Sequence, residues 1–462
     1  MNNRYDSSLD QSSQEPQSWD EIFVPTGFPH HSFIDRPTYS REVRNFLNNP
    51  GYRILALSGL SRTGKTNLLI DIFDSENLTP IWLNGASIKS FQNFSDRLLE
   101  QLDLITRTVK SGDHGEIELL PPILKWIVGK LSFGKSRETT WEDRIDEEDI
   151  VKAMNGKVIV IDDFHRIPGS VQSEVLAYLK ELSELPDRMP RKAKIDFRLI
   201  IVFIPTLNTM GHRFATDLRG RAKWLEIPWW QGDELIKITE RYLLDSERVV
   251  LGLRKFGFES YGLPSVMQLY CREYCRQHMA YAKPNTIGMI RDEQLQSVFA
   301  AAGDEIWGPS GDSVYRELIA LNGRSHPETD IVLTSNLDGR CGDIYRMIWY
   351  CLSVPTIPDD LRDKIPEFKV GKRLEMSIDN IARRLNVLTD FEGDLDYIRR
   401  CIRLMSDEAR LSYVTKIEEI DREIDPLFEY RDNIDSLVIY DPQIIVSLAH
   451  SKYHKEKFDN IN

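Results

Sequence analysis

The sequence predicts an α/β fold: a parallel sheet sandwiched by helices, followed by a helical lid and a C-terminal winged helix-turn-helix. Three observations carry that prediction. From about Phe23 to Pro228, short β-branched runs alternate with amphipathic helical runs, the pattern of parallel βαβ units. From Gly232 to about Ala282 the texture is helical throughout. Further on, three helical runs precede two strand-like runs joined by a short connection, the order of elements in a winged helix.

In the first region the expected strands are Arg53–Ser58, Thr79–Asn84, Lys157–Asp162 and Arg198–Phe203. Their near-continuous apolarity says that both faces of the sheet are covered. An insert from about Ile105 to Met154 separates the second strand from the third, with Lys110, Lys125, Trp126, Lys130, Lys135 and Arg137 ahead of the acidic run Glu142–Asp149. It reads as a solvated loop with an amphipathic helix, or as a patch facing a partner. In the lid, Leu235, Ile238, Tyr242 and Leu243 recur at core spacing, while Glu234, Lys237, Glu240 and Arg241 fall on the opposite face. Ala282–Asn285 and Trp307–Gly311, rich in Gly, Pro and Asn, read as a linker. In the last region the expected helices are Asp343–Cys351, Ser377–Leu385 with Ser377 as its cap, and Asp394 to about Leu411. Leu427–Tyr430 and Ser436–Tyr440 form the expected hairpin across Arg431–Asp435.

The predicted units are therefore a disordered tail (1–20), a sheet domain (21–230), a lid (231–283), and a linker with the winged-helix domain (284–462). The tail lacks the positive and apolar segments of a signal peptide. A chain of 462 residues accommodates about three domains of ~150 residues each. With 41% hydrophobic and 28% charged residues, and Gly and Pro scattered, collagen-like and low-complexity chains are excluded. Lys and Arg number 59 against 72 Asp and Glu, a formal charge of −13, so any nucleic-acid contact requires a local basic patch. Cys271, Cys275, Cys341, Cys351 and Cys401 lack the spacing of a disulfide framework or a zinc site. They read as small, mostly buried side chains in a reducing, cytoplasmic setting. The most apolar window, Arg198–Pro205, is far short of the ~20 residues of a membrane span, so no membrane association is expected. No repeat of fixed period is present.

The first strand leads directly into Gly59-Leu60-Ser61-Arg62-Thr63-Gly64-Lys65-Thr66, and Asn67 opens an apolar helical run. This is G-x-x-x-x-G-K-[ST] in the strand–loop–helix context that gives the motif its meaning. Glycines let the loop curl so that its N–H groups converge on phosphate oxygens at a helix N-terminus. Lys65 is placed to reach the β- and γ-phosphates, and the Thr66 hydroxyl to bind Mg²⁺.

The third strand ends in Asp162 and Asp163. In a phosphate-binding fold the first acid is the expected metal-associated residue, and the second the candidate for activating water. Asn208 or Thr206, after the fourth strand, is placed to sense the γ-phosphate, or is an ordinary turn residue. Arg213, Arg219 and Arg221 precede Trp224–Pro228; one of them, with Arg219 the leading candidate, stabilises the transferred phosphoryl group, or these arginines form surface salt bridges.

These motifs together resemble the AAA+ superclass of P-loop ATPases, and within it the STAND (NB-ARC-like) and origin-recognition-like ATPases, over roughly residues 23–282. Ser32-Phe-Ile34-Asp35-Arg36 is similar to the segment with which these families contact adenine, with Asp35 in place of the usual Gly. The resemblance implies a base-side role for Ile34 and Arg36. Val160-Ile-Asp162-Asp163 is similar to the Asp-Asp form of Walker B common in STAND proteins. Tyr261-Gly262-Leu-Pro264 looks like the lid motif whose proline lies near the nucleotide; without the rest of the resemblance it reads as a helix-starting turn.

What the resemblance implies is an ATPase, expected to be slow, binding ATP or ADP with Mg²⁺. The leading expectation is a switch whose nucleotide state controls self-assembly or a separate effector or sensor protein, as in bacterial defence or signalling. The alternative is a DNA-associated initiator, loader or transposition helper, reading DNA with Arg383, Arg384, Arg399, Arg400 and Arg403. Asp394, Asp396, Asp407 and Glu408 are interleaved on the helix that carries the last three of these arginines, which also fits a solvated, salt-bridged face.

Overall fold

The structure is a computed structural model that describes residues 18–49, 51–104, 146–189, 195–205, 218, 220–243, 247–278, 290–307, 332–353, 369–370, 374–415, 428–441 and 443–450. The basic part of the insert therefore lies outside the described residues.

Five parallel strands form the first sheet: β1 (Ile54–Ser58), β2 (Ile81–Asn84), β3 (Val158–Asp162), β4 (Arg198–Phe203) and β5 (Ala222–Glu226), in the order β2-β3-β4-β1-β5. Alternate side chains divide between two apolar clusters, as the two-residue period of a strand requires. Ile54, Ala56, Ile159, Ile161, Leu199 and Ile201 pack into one, with apolar residues of helices Phe91–Gln101, Glu147–Met154 and Gly169–Arg188. Leu55, Leu57, Val158, Val160, Ile200 and Val202 pack into the other, with those of helices Pro37–Asn48 and Lys65–Ser75. All four expected strands are present with both faces covered.

The fifth strand was not anticipated. β5 pairs with β1 along its full length, Ile54 opposite Ala222 through Ser58 opposite Glu226. It is an edge strand in which Lys223 breaks the apolar run and Trp224 is 44% exposed, so it lacks the apolarity that marks its buried neighbours.

The lid contains the helices Gly232–Leu243, Glu247–Glu259 and Pro264–His278. A fourth helix, Asp292–Trp307, occupies part of the stretch expected to be linker; it packs against Pro264–His278 and against the C-terminal helix Gln443–His450. The expected tail likewise ends early. Ser18 caps a short helix, Trp19–Ile22, by accepting from the Glu21 N–H at 3.3 Å. Trp19 and Ile22 are buried there, and the helix packs on Pro264–His278.

The C-terminal region has the arrangement of a winged helix. Helices Ile344–Ser353, Ile378–Leu388 and Leu395–Thr415 are followed by the antiparallel hairpin of β10 (Phe428–Arg431) and β11 (Ser436–Ile439). Ser377 caps the middle helix, accepting from Asn380 N–H at 3.3 Å. The sequence pattern did not reveal three further pieces: the two-strand hairpin of β6 (Val332–Thr334) and β7 (Cys341–Asp343), the short β8 (Lys369–Val370), and β9 (Leu374–Ser377), which pairs with β11. A single apolar cluster runs from Trp19 and Phe23 through Trp229, Trp230 and the lid into the winged helix.

Candidate functional site

The glycine-rich loop connects β1 to helix Lys65–Ser75, whose N-cap is Gly64 at φ 88°. Gly59 passes so close to the chain after β5 that a Cβ would lie 2.6 Å from the Ile227 carbonyl oxygen. The loop is pinned from both sides. The Thr63 hydroxyl donates to the Leu60 carbonyl at 2.9 Å, and the Trp230 indole N–H donates to the Thr63 carbonyl at 3.1 Å. Lys65 is 8% exposed, and its ammonium donates to the Gly59 and Leu60 carbonyls at 2.9 and 2.6 Å. The lysine is thus held over the loop, at the end of a helix whose first N–H groups have no intrahelical partners.

β1 and β3 are separated by β4, yet their carboxyl ends meet. The Thr66 hydroxyl donates to Asp162 Oδ2 at 3.0 Å, and Asp162 Oδ1 accepts from the Asp163 N–H at 2.9 Å. Burial, with the neighbouring Asp163 charge, pushes the Asp162 carboxyl above the usual aspartate range; the Thr66 and Asp163 hydrogen bonds and the Lys65 charge oppose the shift. Asp163 adopts the left-handed region at φ 51°, and its side chain is 41% exposed, with Arg166 at 3.9 Å. Gly85, after β2, allows this turn its path: a Cβ there would lie 2.4 Å from the Asp163 carbonyl oxygen.

Beside the loop an open cleft is lined by Ile34, Arg36, Thr63, Gly64, Asn67 and Pro264, among others. The expected base-side residues thus reach one space with part of the glycine-rich loop. Arg36 has a second task. Its guanidinium donates to the Pro228 and Trp229 carbonyls at 2.7 and 3.3 Å, pairs with Glu234 at 3.5 Å, and lies over the rings of Tyr39 and Trp230 at 4.7 and 4.9 Å. It therefore ties the N-terminal segment to the chain that leads from sheet to lid. Opposite it, the Gly262 carbonyl accepts from the Trp230 N–H at 3.3 Å.

Pro264 opens a lid helix, as its position after Gly262 suggested. Gln268, which also lines the cavity, was not singled out in the sequence. Its signal was its spacing, four residues after Pro264 and so on the same helix face. Asn208, Thr206, Arg213 and Arg219 lie outside the described residues. Arg221 pairs with Glu184 at 2.5 Å, in keeping with the salt-bridge reading. Cys271 and Cys275 are fully buried, and burial pushes both thiols up.

The five arginines considered for DNA do not form an open basic face. Arg384 is 4% exposed. Arg383 pairs with Asp379 at 2.8 Å, Arg399 with Asp435 at 2.7 Å and also with Asp396, and Arg403 with Asp432, while Arg400 lies over the Tyr397 ring. Asp432 and Asp435 belong to the turn of the wing, which the sequence pattern did not place against this helix. Elsewhere Asp441, just after β11, reaches Arg62 of the glycine-rich loop at 4.0 Å.

Two features fit Mg²⁺ and a phosphate chain. Thr66 and Asp162 offer hard oxygen donors side by side, a set suited to Mg²⁺, which usually keeps several waters and takes few protein ligands. At Gly64 a Cβ would meet nothing within 4 Å, so the helix N-terminus opens onto free space. No described helix is long and apolar enough to cross a membrane.

No family model matches this sequence, and no curated protein does. Among solved structures the chain is similar to a Walker-type ATPase of Pyrococcus abyssi, at 13% identity over 90% of this chain and 96% of that one, with a TM-score of 0.42. It is similar to Cdc6p from Pyrobaculum aerophilum, at 13% identity over 95% and 98%, TM-score 0.37. It is also similar to the Aeropyrum pernix ORC1 protein in complex with DNA, at 14% identity over 96% and 97%, TM-score 0.37. At these identities the likeness concerns the fold alone. In its parallel sheet and in the meeting of the glycine-rich loop with Asp162, the chain resembles the AAA+ P-loop ATPases.

Proposed function

We propose that this chain binds ATP with Mg²⁺ and hydrolyses it slowly. The observation that carries the reading is the meeting of Thr66 and Asp162, 3.0 Å apart, at the carboxyl ends of two non-adjacent parallel strands. In this reading the loop N–H groups and Lys65 hold the phosphates, with Lys65 exchanging its two carbonyl partners for phosphate oxygens. Thr66 and Asp162 hold Mg²⁺, which when bound neutralises phosphate charge. Asp163, exposed at the mouth of the site, orients the attacking water. Asn208 is proposed as the γ-phosphate sensor and Arg219 as the arginine that stabilises the transferred group. Ile34, Arg36 and Pro264 flank the base.

Two finer readings say what the ATP is for. A DNA-associated ATPase is nearer to what the neighbouring structures are named for, one of them in complex with DNA, and it stands first for testing. It would use surfaces other than the arginines that the wing neutralises. The nucleotide-controlled switch is supported by the contact of Asp441 with Arg62, which brings the C-terminal module to the edge of the glycine-rich loop.

The test is ATP hydrolysis by the wild type and Lys65→Ala, with and without double-stranded DNA, while light scattering follows mass. Lys65→Ala should lose ATP affinity and turnover; unchanged affinity by calorimetry refutes the site. Turnover stimulated by DNA supports the first reading, and indifference to DNA with ATP-dependent growth in mass supports the second.

A further inference from the structure

Gln268 is 3% exposed, and its side chain is held from one side only. Its Oε1 accepts from the Val24 N–H at 2.9 Å. The Ser32 hydroxyl lies 2.6 Å from the Ile22 carbonyl and 2.9 Å from the same Oε1, sharing its one proton between them. A backbone N–H can only donate, so the Val24 contact settles which end of the amide is oxygen. The other end, Nε2, is a double donor with no partner among the described residues, although a buried amide ordinarily satisfies its donors. Gln268 lines the cavity together with Pro264, Ile34 and Trp230.

We infer that Gln268 reads the base: its Nε2 donates to a ring nitrogen of the purine that occupies this cavity. The inference rests on the ATP-binding reading and goes beyond it by assigning the polar contact for the base. The surrounding lining is largely apolar and supplies contact area; a fixed donor supplies orientation. The donor is pre-set before any ligand arrives, because Val24 and Ser32 hold the amide from behind. A pyrimidine base would not extend a ring nitrogen as far as a purine does. Guanine presents an N–H at position 1 where adenine presents an acceptor.

The experiment uses the isosteric variant Gln268→Glu, which retains an acceptor for Val24 and Ser32 and replaces only the donor. Calorimetric titration compares ATP with 1-deaza-, 3-deaza- and 7-deaza-ATP on the full chain. In the wild type one of the three analogues should bind about tenfold more weakly than ATP, the effect of one hydrogen bond to the base of ~1.4 kcal/mol. In Gln268→Glu that penalty should vanish, whatever the added charge does to overall affinity. Equal binding of all three analogues by the wild type, or a penalty that survives in the variant, overturns the assignment. Lack of any ATP binding by the wild type would instead remove the ATP-binding reading, so the two failures are distinct.

Discussion

Gly262, between two lid helices, packs against the chain that leads from sheet to lid, and replacing it by alanine tests whether that two-tryptophan connection is as tightly built as the structure says. Its φ is 74°, and a Cβ would lie 2.5 Å from Trp229 Cε3, 3.0 Å from the Trp230 carbonyl oxygen and 3.1 Å from Trp229 Cβ. Trp229 is 2% exposed, so its ring has nowhere to retreat. A left-handed alanine costs ~1–2 kcal/mol, and overpacking a filled site a further ~1–3 kcal/mol. Reduced freedom of the unfolded chain returns ~0.4–1 kcal/mol.

Gly339→Ala is the matched control. Its φ is 71°, nothing lies within 4 Å of a Cβ there, and it lies in the turn between β6 and β7, two residues after Leu337, which packs against the same apolar cluster. The backbone and unfolded-chain effects cancel between the two variants, leaving the steric contact, about 2 kcal/mol. With a urea slope of ~2 kcal/mol/M, the Gly262→Ala midpoint should fall about 1 M below that of Gly339→Ala. Because Trp230 lines the cavity and bonds to Gly262, only Gly262→Ala should also weaken ATP binding. Equal urea midpoints for the two variants would refute the argument.

Two predictions address the acidic pair. The Asp162 carboxyl is pushed up on folding, so its contribution to stability is complete below the unfolded value, about 3.9, and is lost as pH rises through the higher folded value. Asp162→Asn should therefore raise the melting temperature at neutral pH while Mg²⁺-dependent hydrolysis is lost, and the gain should shrink as pH falls into the acid range; a lower melting temperature at pH 7 contradicts this. Asp163→Asn should leave ATP affinity unchanged and lower kcat by ~10²-fold or more, as loss of a water-orienting base does, because asparagine tolerates the same left-handed backbone. Undiminished phosphate release by this variant would remove the role given to Asp163.

Much of the architecture was legible because it is written locally. β1, β3 and β4 are runs of apolar residues long enough for one strand each, and a strand buried on both faces needs nothing more to be recognised. The glycine-rich loop was equally plain, since its geometry demands particular residues at particular spacing within eight positions. Ser377 announced its helix because a cap acts within one turn. β5 was not legible: its Lys223 and exposed Trp224 resemble a surface connection, and only its pairing with β1 makes it a strand. Helix Asp292–Trp307 was missed because the Gly- and Pro-rich stretches near it suggested a linker.

The sequence by itself determined which segments could be buried and where a phosphate could be held. The tertiary structure decided what those segments meet. Arg399 and Arg403 read as a possible basic face until the wing brought Asp435 and Asp432 against them. Gln268 is an ordinary helical residue until Val24, 244 positions earlier, fixes its amide at the wall of the cavity. Periodicity reports the surroundings of a segment averaged over a few turns, whereas charge pairing and hydrogen-bond satisfaction depend on single atoms from distant parts of the chain, within about 3 Å of each other.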